Sequence, residues 1–528
     1  MKSNKIIIFL LIFLNAINSG CTHDSEPSDN YKEDDIKFTY AVEDGEAILQ
    51  SVVSKDIEEV FIPSEVQIDG LTYPVTTIAS KAFAQCEGLS KLHLPSTITR
   101  MEVWAFSYTD IKELYIENLE SWCNINFCME IDYEPMPDGP SISEYGNPNP
   151  INENTILYVN GEKIEDTLII PSGVKKISAY AFNYFNFKEL ILSPGVETLG
   201  KRSFGGCDSL EKIKVPSSLK NINEGALSYS NTGRCIYIPS IEDWLNIKIS
   251  WNYGNYTLYV DEKPLIDIEI PNSVTTIPSR AFEGCLAKTF KFHPGVEIIE
   301  NNAFYDTPSL VTITGMESVK EIGSSAFYYS GIENINLGDN LETIGSNAFY
   351  SCKMLKSIII PGSVDTVPKE AFASCQNLQY VQIDEGCSMI DDEAFSFCYN
   401  LKEVVLPTSL RRVCFFSFSN CEALQEFVFP EGVTNIECDC LDFCTELTKV
   451  TLPSTLTYFD CEFLYCDNLK TIIMNSPVIP ESPNYFKFNY KPVWENCTLY
   501  VPEQSLKLYK ENPIWGKFKN IQKISMAE

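Results

Sequence analysis

The sequence predicts a solenoid of mainly-β or α/β class, in which short coils of chain stack on one another. The main observation is a phrase made of an apolar pair and, three residues later, a cysteine, as in AFASC from Ala371 to Cys375. The second residue of the pair recurs every 22 or 23 residues, a period typical of repeat proteins. This series comprises Phe304, Phe327, Phe349, Phe372, Phe395, Phe418, Leu441 and Leu464.

Earlier copies of the phrase extend the repeat towards the amino terminus. Their pair residues are Phe83, Phe106, Phe182, Phe204, Leu227 and Phe282. Repeats that contact only their neighbours form one elongated body, so a chain of 528 residues does not require several globular domains. We therefore predict that the phenylalanines of this series, from Phe83 to Phe418, form the structural core.

One coil, KSIIIPGSVDTVPKEAFASCQNL, illustrates how the repeat folds. Alternation directs Ile358 and Ile360 inward along a short strand, and Pro361 ends the strand because proline cannot donate a backbone hydrogen bond. The pair at Phe372 and the following Cys375 complete the inner lining. A single coil buries too little apolar surface to offset the entropy of ordering its backbone, so its stability must come from the coils above and below.

The consensus LxxIxIPxxVxxIxxxAFxxCxxL, which covers most of residues 58–474, resembles the BspA-like, Treponema-type subclass of bacterial leucine-rich repeats. Some coils depart from it, with Ser203, Ser417 and Cys440 at the alanine position. The resemblance implies a right-handed superhelix with parallel strands on its concave face. It also implies a partner class, because BspA-like proteins include bacterial adhesins that bind host extracellular proteins.

The amino terminus is typical of an export signal over residues 1–20. A positive start, MKSNK, precedes an apolar run from Ile6 to Leu14 that is too short to span a bilayer. Ser-Gly before Cys21 resembles a bacterial lipobox, although Asn18 stands where that motif usually has an apolar residue. We predict lipidation of Cys21, followed by an acidic tether over residues 21–35. The alternative is a conventional secretory signal that leaves Cys21 as a free thiol.

The remaining organisation is an amino-terminal cap at 36–74, a repeat array at 75–474 and a carboxy-terminal cap at 475–528. Two segments within the array, 115–167 and 228–265, resemble each other, and their alignment places Trp122 against Trp244. We interpret their aromatic residues as local cores of inserted hairpins. The proline-rich stretch 134–150 is predicted to be an exposed loop, either a contact element or a spacer.

Composition and motifs exclude several classes of function. Lys and Arg number 40 against 72 Asp and Glu, and the net charge of −32 repels nucleic acid. The three histidines, His23, His93 and His293, are far apart, and no carboxylate pair stands out as an acid and a base. We therefore predict neither an enzyme nor a cofactor or metal requirement, and expect His93 to face solvent.

Nine of the 19 cysteines occupy one position of the coil, where a small buried side chain is needed. Stacked side chains that point the same way have poor geometry for disulfides, so we expect free thiols. Cys438 and Cys461, one coil apart and close to Cys440, are the exception. A disulfide or a thiolate metal site remains open there.

Strand residues flanked by two inward residues should form an outward row, which begins at Phe61 and His93 and becomes apolar in its later part. Exposed apolar patches on soluble proteins often mark partner sites. The candidate binding ladder comprises Ile359, Tyr380, Gln382, Val405, Val428, Thr451 and Ile473.

These observations predict a monomeric, outer-membrane lipoprotein that faces the cell surface and binds a protein ligand in an adhesin-like manner. Membrane contact would be through the lipid anchor only, and a periplasmic location is the other possibility. The alternatives are an envelope protein that captures a glycan or nutrient, and a structural spacer.

Overall fold

The computed structural model describes residues 38–128, 148–228, 233–250, 254–483 and 490–524. The predicted signal, the tether and Cys21 lie outside these residues, as does most of the 134–150 loop. The chain divides into two compact units, Met1–Pro239 with Ile249–Gly254, and Ser240–Lys248 with Asn255–Glu528.

The first unit begins with two antiparallel hairpins. Strands Phe38–Glu43 and Glu46–Val52 form one, and strands Glu65–Ile68 and Leu71–Ile78 form the other. The turns are made by Asp44-Gly45 and Asp69-Gly70, and all four residues have positive φ. Left-handed backbone of this kind suits two-residue hairpins, and Asp and Gly tolerate it.

Parallel strands in two series form the coils of the first unit. The first series contains Glu59–Phe61, Lys91–Leu94, Glu113–Ile116 and Ile156–Val159 with the antiparallel Glu162–Lys163, and then Thr167–Ile170, Glu189–Leu192, Lys212–Lys214 and Arg234–Tyr237. The second series continues from Leu71–Ile78 through Arg100–Met101, Asn126–Phe127, Lys176–Ile177, Thr198–Leu199, Asn221–Ile222 and Lys248–Ile249.

The second unit repeats this arrangement. After the hairpin of Tyr256–Val260 and Lys263–Pro264, its main strands are Asp267–Glu269, Thr289–Lys291, Thr312–Thr314, Asn334–Ile335, Ser357–Ile360, Tyr380–Ile383, Glu403–Val405, Glu426–Val428, Lys449–Leu452, Thr471–Met474, Thr498–Val501 and Asn520–Lys523. The two-residue strands are Thr276–Ile277, Ile298–Ile299, Glu321–Ile322, Thr343–Ile344, Thr366–Val367, Met389–Ile390, Arg412–Val413, Asn435–Ile436 and Tyr458–Phe459. Each unit is therefore a parallel-strand solenoid, as the repeat predicts.

The described helices are short. The α-helices are Leu119–Cys123, Ile241–Leu245, Lys491–Asn496 and Leu506–Glu511, and the 3-10 helices are Met316–Ser318, Glu503–Ser505 and Trp515–Lys517. Within the described residues, no helix has the length and apolar character needed to cross a membrane.

The two tryptophans of the related segments are buried, but they lie on helices and not in the hairpins of our interpretation. Asn118 and Ser240 cap the two helices by accepting a backbone N–H. The indole of Trp122 donates to Ala181 O at 2.9 Å, and that of Trp244 donates to Ala281 O at 2.7 Å. Each tryptophan therefore joins its segment to the alanine that precedes a core phenylalanine.

Hydrogen bonds between coils continue around the turn that holds the buried phenylalanine. Glu370 lies two residues before Phe372, and Ser374 lies two residues after it. Both adopt left-handed backbone, with φ of 55° and 61°. The N–H groups of residues 370, 372 and 374 donate to the carbonyls of residues 392, 394 and 396 in the next coil, at 2.7–2.9 Å. The turn thus satisfies its backbone donors without a regular strand.

The phenylalanines form columns of stacked rings in the interior. In the second unit the column runs from Phe304 through Phe327, Phe349, Phe372 and Phe395 to Phe418, with ring centroids 5.0–5.3 Å apart. In the first unit Phe83 stacks on Phe106, and Phe182 stacks on Phe204. All of these rings, and that of Phe282, are buried.

The last member of the predicted series needs a correction. Phe463, and not Leu464, lies in the core position, where its side chain is buried while Leu464 is only half-buried. The N–H of Phe443 donates to Leu464 O, the bond that the residue one position after the core ring accepts in other coils, as Ser396 does from Ser374. This coil is one residue shorter, so a fixed step of 23 residues from Leu441 ends one position too late.

The repeated cysteines have a role that their size alone did not indicate. Seven of the nine thiols donate to the carbonyl of the core residue one coil earlier, as Cys375 Sγ does to Phe349 O at 3.2 Å. The same bond is made, at 3.1–3.4 Å, by Cys207, Cys352, Cys398, Cys421, Cys444 and Cys466. Burial raises the pKa of Cys398 to about 12, so the group is a neutral thiol that can donate.

Candidate functional site

The strand face of the second unit carries the predicted binding ladder, divided between two sheets. Parallel register places Ile359 beside Gln382 and Gln382 beside Val405. In the other sheet Val428, Thr451 and Ile473 are neighbours in the same way. The ladder is therefore two rows of three side chains, with Tyr380 beside them on the strand that carries Gln382.

Alternation along the strands exposes these side chains. Ile359 is 51% exposed, whereas Ile358 and Ile360 on either side of it are buried. Val405 and Val428 are 41% and 55% exposed, and Thr451 and Ile473 are half-buried. A row of β-branched side chains on a rigid sheet presents apolar surface that needs no reorganisation before a partner binds.

Polar groups interrupt the apolar rows. The hydroxyl of Tyr380 donates to Gln382 Oε1 at 2.8 Å, and the amide of Gln382 donates to Asp384 Oδ1 at 2.7 Å. Beside Val428 and Thr451, Lys449 and Glu426 form an ion pair at 3.1 Å. The surface thus combines apolar side chains with hydrogen-bonding groups held in place by one another, a mixture typical of protein interfaces.

The first unit carries an aromatic row on its strand face. Phe61, His93, Tyr115 and Tyr158 stack in register, with successive ring centroids 3.8, 4.2 and 4.4 Å apart and interplanar angles of 7–14°. Our expectation for His93 was incomplete, because its ring is half-buried between Phe61 and Tyr115. Stacking covers both faces of the inner rings, His93 and Tyr115, and Phe61 at the end of the row is 57% exposed.

The polar atoms of His93 and Tyr115 in this row form hydrogen bonds with carboxylates. His93 Nε2 lies 2.9 Å from Glu59 Oε1, and the hydroxyl of Tyr115 donates to Glu113 Oε2 at 2.5 Å. Burial and this hydrogen bond raise the pKa of Tyr115 above its ordinary value. The sequence pattern did not reveal Tyr115 and Tyr158 as members of the row, because its four residues are separated by 32, 22 and 43 positions.

A small cluster of potential metal ligands lies in the second unit, directly after the strands Met389–Ile390 and Arg412–Val413. Ligand atoms of Asp391, Asp392 and Cys414 lie within 4.8 Å of one another. Burial raises the pKa of Cys414 to about 12, so the thiol remains protonated at neutral pH and is a poor ligand in that form. Sequence reasoning missed the cluster because its members lie on successive coils.

Of the remaining cysteines and histidines singled out from the sequence, Cys438 and His293 make structural hydrogen bonds. Cys438, Cys440 and Cys461 are free thiols, and Cys438 Sγ donates to Asp439 Oδ2 at 2.9 Å. His293 accepts the N–H of Gly295 at Nδ1, so its Nε2 donates to Val274 O at 2.8 Å. His23 lies outside the described residues.

Known proteins share this architecture. The family model of the BspA type leucine rich repeat region matches in six copies, over residues 56–130, 158–247, 253–379 and 366–491. A search of curated proteins returned no match.

Solved structures similar to this chain include three bacterial proteins. A leucine-rich repeat protein from Bacteroides ovatus is 19% identical, with 90% of this chain and all of that chain (100%) covered and a TM-score of 0.43. A leucine rich cell surface protein from Faecalibacterium prausnitzii is 21% identical, with 85% and 96% covered and a TM-score of 0.36. The pneumococcal vaccine antigen PcpA is 16% identical, with 94% and 98% covered and a TM-score of 0.35.

The family model covers well over half of the chain, and its matches coincide with the coils that the structure contains. The matched ranges contain the interior phenylalanines, the inter-coil hydrogen bonds and the parallel strands of the coils. The chain therefore belongs to the family of BspA-type leucine-rich repeat proteins.

Proposed function

We propose that this chain is an exported protein that is anchored through a lipid on Cys21 and binds a protein partner at the cell surface. Membership of the family supports binding to a protein, because BspA-type repeats are scaffolds for protein interaction. The observation that carries the proposal of a protein partner is the exposed row of Ile359, Gln382 and Val405. This row offers apolar and hydrogen-bonding groups on a rigid sheet.

The aromatic row of the first unit favours protein over glycan at the strand face. A sugar that stacks on an aromatic residue needs the open face of a ring. In this row each inner ring is covered on both faces by neighbours at 3.8–4.4 Å. Ring edges and carboxylates suit the mixed apolar and cationic surface of a protein.

Binding should be tested with the mature chain against a panel of purified extracellular-matrix glycoproteins, by biolayer interferometry. Val405→Asp places a charge in the apolar row and should weaken binding to any captured glycoprotein at least about tenfold, as expected for a central contact. Val478→Asp is the matched control, because Val478 is also exposed, at 57% against 41% for Val405, and lies outside the strand rows. Equal effects of the two variants, or capture of none of the glycoproteins, would contradict the proposal.

Anchoring and display need separate measurements. Cys21→Ala should release the protein from the membrane fraction into the soluble fraction if the lipid is its attachment. Protease treatment of intact cells should degrade the wild-type chain if it faces the medium. Retention of Cys21→Ala in membranes would exclude the lipid anchor, and protection from protease would place the chain in the periplasm.

A further inference from the structure

A small cleft lies in the first unit, at the turns that hold the buried core residues, and none of its lining residues belongs to the aromatic row. Its volume is about 110 Å³, and its lining includes Asn183, Tyr184, Arg202 and the glycines 205, 206 and 225. These residues come from three successive coils, next to the core residues Phe182, Phe204 and Leu227. The cleft is small compared with the pockets that enclose whole cofactors.

The glycines create the cleft by removing side chains from the positions where other coils have them. A Cβ at Gly206 would lie 2.5 Å from the ring of Tyr184, so that ring lies flat against the glycine backbone. A Cβ at Gly225 would lie 3.0 Å from Cγ of Arg202. Gly206 and Gly225 also have positive φ, at 69° and 63°, where a side chain is strained.

The arginine of the cleft lacks the carboxylate that its equivalent has. Arg202 and Arg280 occupy the same position of the coil, two residues before Phe204 and Phe282. In the second unit Arg280 Nη1 pairs with Glu283 Oε2 at 2.9 Å. The residue equivalent to Glu283 in the first unit is Gly205, and Arg202 has no side-chain hydrogen bond or ion pair with any residue that the structure describes there.

A buried amide also faces the cleft. Asn183 is only 4% exposed, and a Cβ at Gly205 would lie 2.9 Å from its Oδ1, so the amide points at the glycine. Its side chain makes no hydrogen bond within the described part of the chain. Buried amides are normally satisfied, so Asn183 and Arg202 together indicate a ligand with both an anionic and a polar group.

We propose that this cleft binds a sugar that carries a carboxylate, such as a uronic acid. The carboxylate would take the place of the missing glutamate and pair with the guanidinium of Arg202 in the bidentate geometry that arginine favours. A hydroxyl next to it would bond to Asn183, and C–H groups of the sugar would contact the ring of Tyr184, which is 37% exposed. The volume suits the carboxylate and one edge of a pyranose ring. This site is independent of the protein-binding strand face.

The test uses methyl β-D-glucuronide as the ligand for the mature chain, with titration calorimetry and saturation-transfer NMR. The glucuronide should bind, and the neutral methyl β-D-glucoside should bind at least about tenfold more weakly because it lacks the charged hydrogen bonds. Arg202→Gln should weaken glucuronide binding by a similar factor. Arg202→Lys, which keeps the charge and loses the planar fork, should give an intermediate loss.

Two further variants separate this site from general effects of charge. Lys201→Gln removes the adjacent positive charge, which is paired with Glu224 at 3.0 Å, and should leave glucuronide binding unchanged. Gly205→Glu restores the carboxylate found at Glu283 and should abolish binding by occupying Arg202 from within the protein. The urea midpoint of each variant shows whether it is folded, and Arg202→Lys provides the test if Gly205→Glu is not.

Three results would overturn the proposal. The first is the absence of glucuronide binding to the wild-type chain at about 10 mM ligand, since weaker binding than this is not specific recognition. The second is an equal loss in Lys201→Gln and Arg202→Gln. The third is binding of acetate as tight as that of the glucuronide, which would mean that the cleft takes any carboxylate and does not recognise a sugar.

Discussion

Replacing Phe372 by alanine tests whether the stacked phenylalanine column stabilises the coils. The side chain is fully buried, and its ring lies between those of Phe349 and Phe395 with centroids 5.1 and 5.3 Å away. Burial of the ring is worth about 1.5–3 kcal/mol, and each stacked contact adds about 0.5–1.5 kcal/mol. The sum agrees with the loss of about 3–5 kcal/mol that such truncations cause in protein cores.

The assay is urea unfolding followed by tryptophan fluorescence, combined with hydrogen exchange. Exchange is needed because repeat proteins can unfold part by part, and it shows whether protection is lost first in the coils around residue 372. Phe372→Leu should cost less than Phe372→Ala, about 1–3 kcal/mol for the two stacked contacts that it removes, because leucine keeps apolar burial, as Leu441 does at the equivalent position of its own coil. A loss below about 1 kcal/mol for Phe372→Ala, no larger than that of an ordinary surface substitution, would refute the reasoning.

Three other changes test the hydrogen bonds, the coil spacing and the buried acid. Cys398→Ala should lower the free energy of unfolding by about 1 kcal/mol, because the bond from its thiol to Phe372 O is lost; an unchanged urea midpoint would mean that this bond does not stabilise the coil. Gly362→Ala should cost about 1–3 kcal/mol, since its Cβ would lie 1.8 Å from Glu385 O of the next coil, and an unaltered melting temperature would contradict this contact. Burial raises the pKa of Asp442 to about 8, above its unfolded value of about 4, so the folded chain retains a proton and loses stability as pH rises from about 4 to about 8. Asp442→Asn should flatten that fall in urea midpoints measured across this range, and an equally steep fall in the variant would assign it to other groups.

The sequence predicted the repeat and the inward direction of its side chains because both depend on local periodicity. In the coil around Phe372, the buried isoleucines, the exposed Ile359 and the strand end at Pro361 all follow from alternation and from the chemistry of proline. The position of Cys375 was predicted for the same reason. A fixed period fails where a coil changes length, which is why Leu464 was assigned to the place that Phe463 occupies.

The candidate sites depend on contacts between side chains of different coils, and the sequence period does not predict these contacts. The aromatic row unites Phe61, His93, Tyr115 and Tyr158 across unequal intervals, so only the strand register brings the rings into contact. In the same way, the cleft at Arg202 exists because side chains are missing on adjacent coils. A glycine in one coil is visible in the sequence, but the space it opens is defined by the residues above and below it.

By itself the sequence determined the solenoid class, the strand directions and the core positions of the coils of regular length, because each of these coils repeats the same local rules of alternation, turn formation and burial. Only the tertiary structure decided that the thiols donate to the preceding coil, that the aromatic rings stack, and that Arg202 lacks the partner that Arg280 has. These features depend on distances between side chains of different coils, and such distances are set by the register of stacking and not by the composition of any one coil.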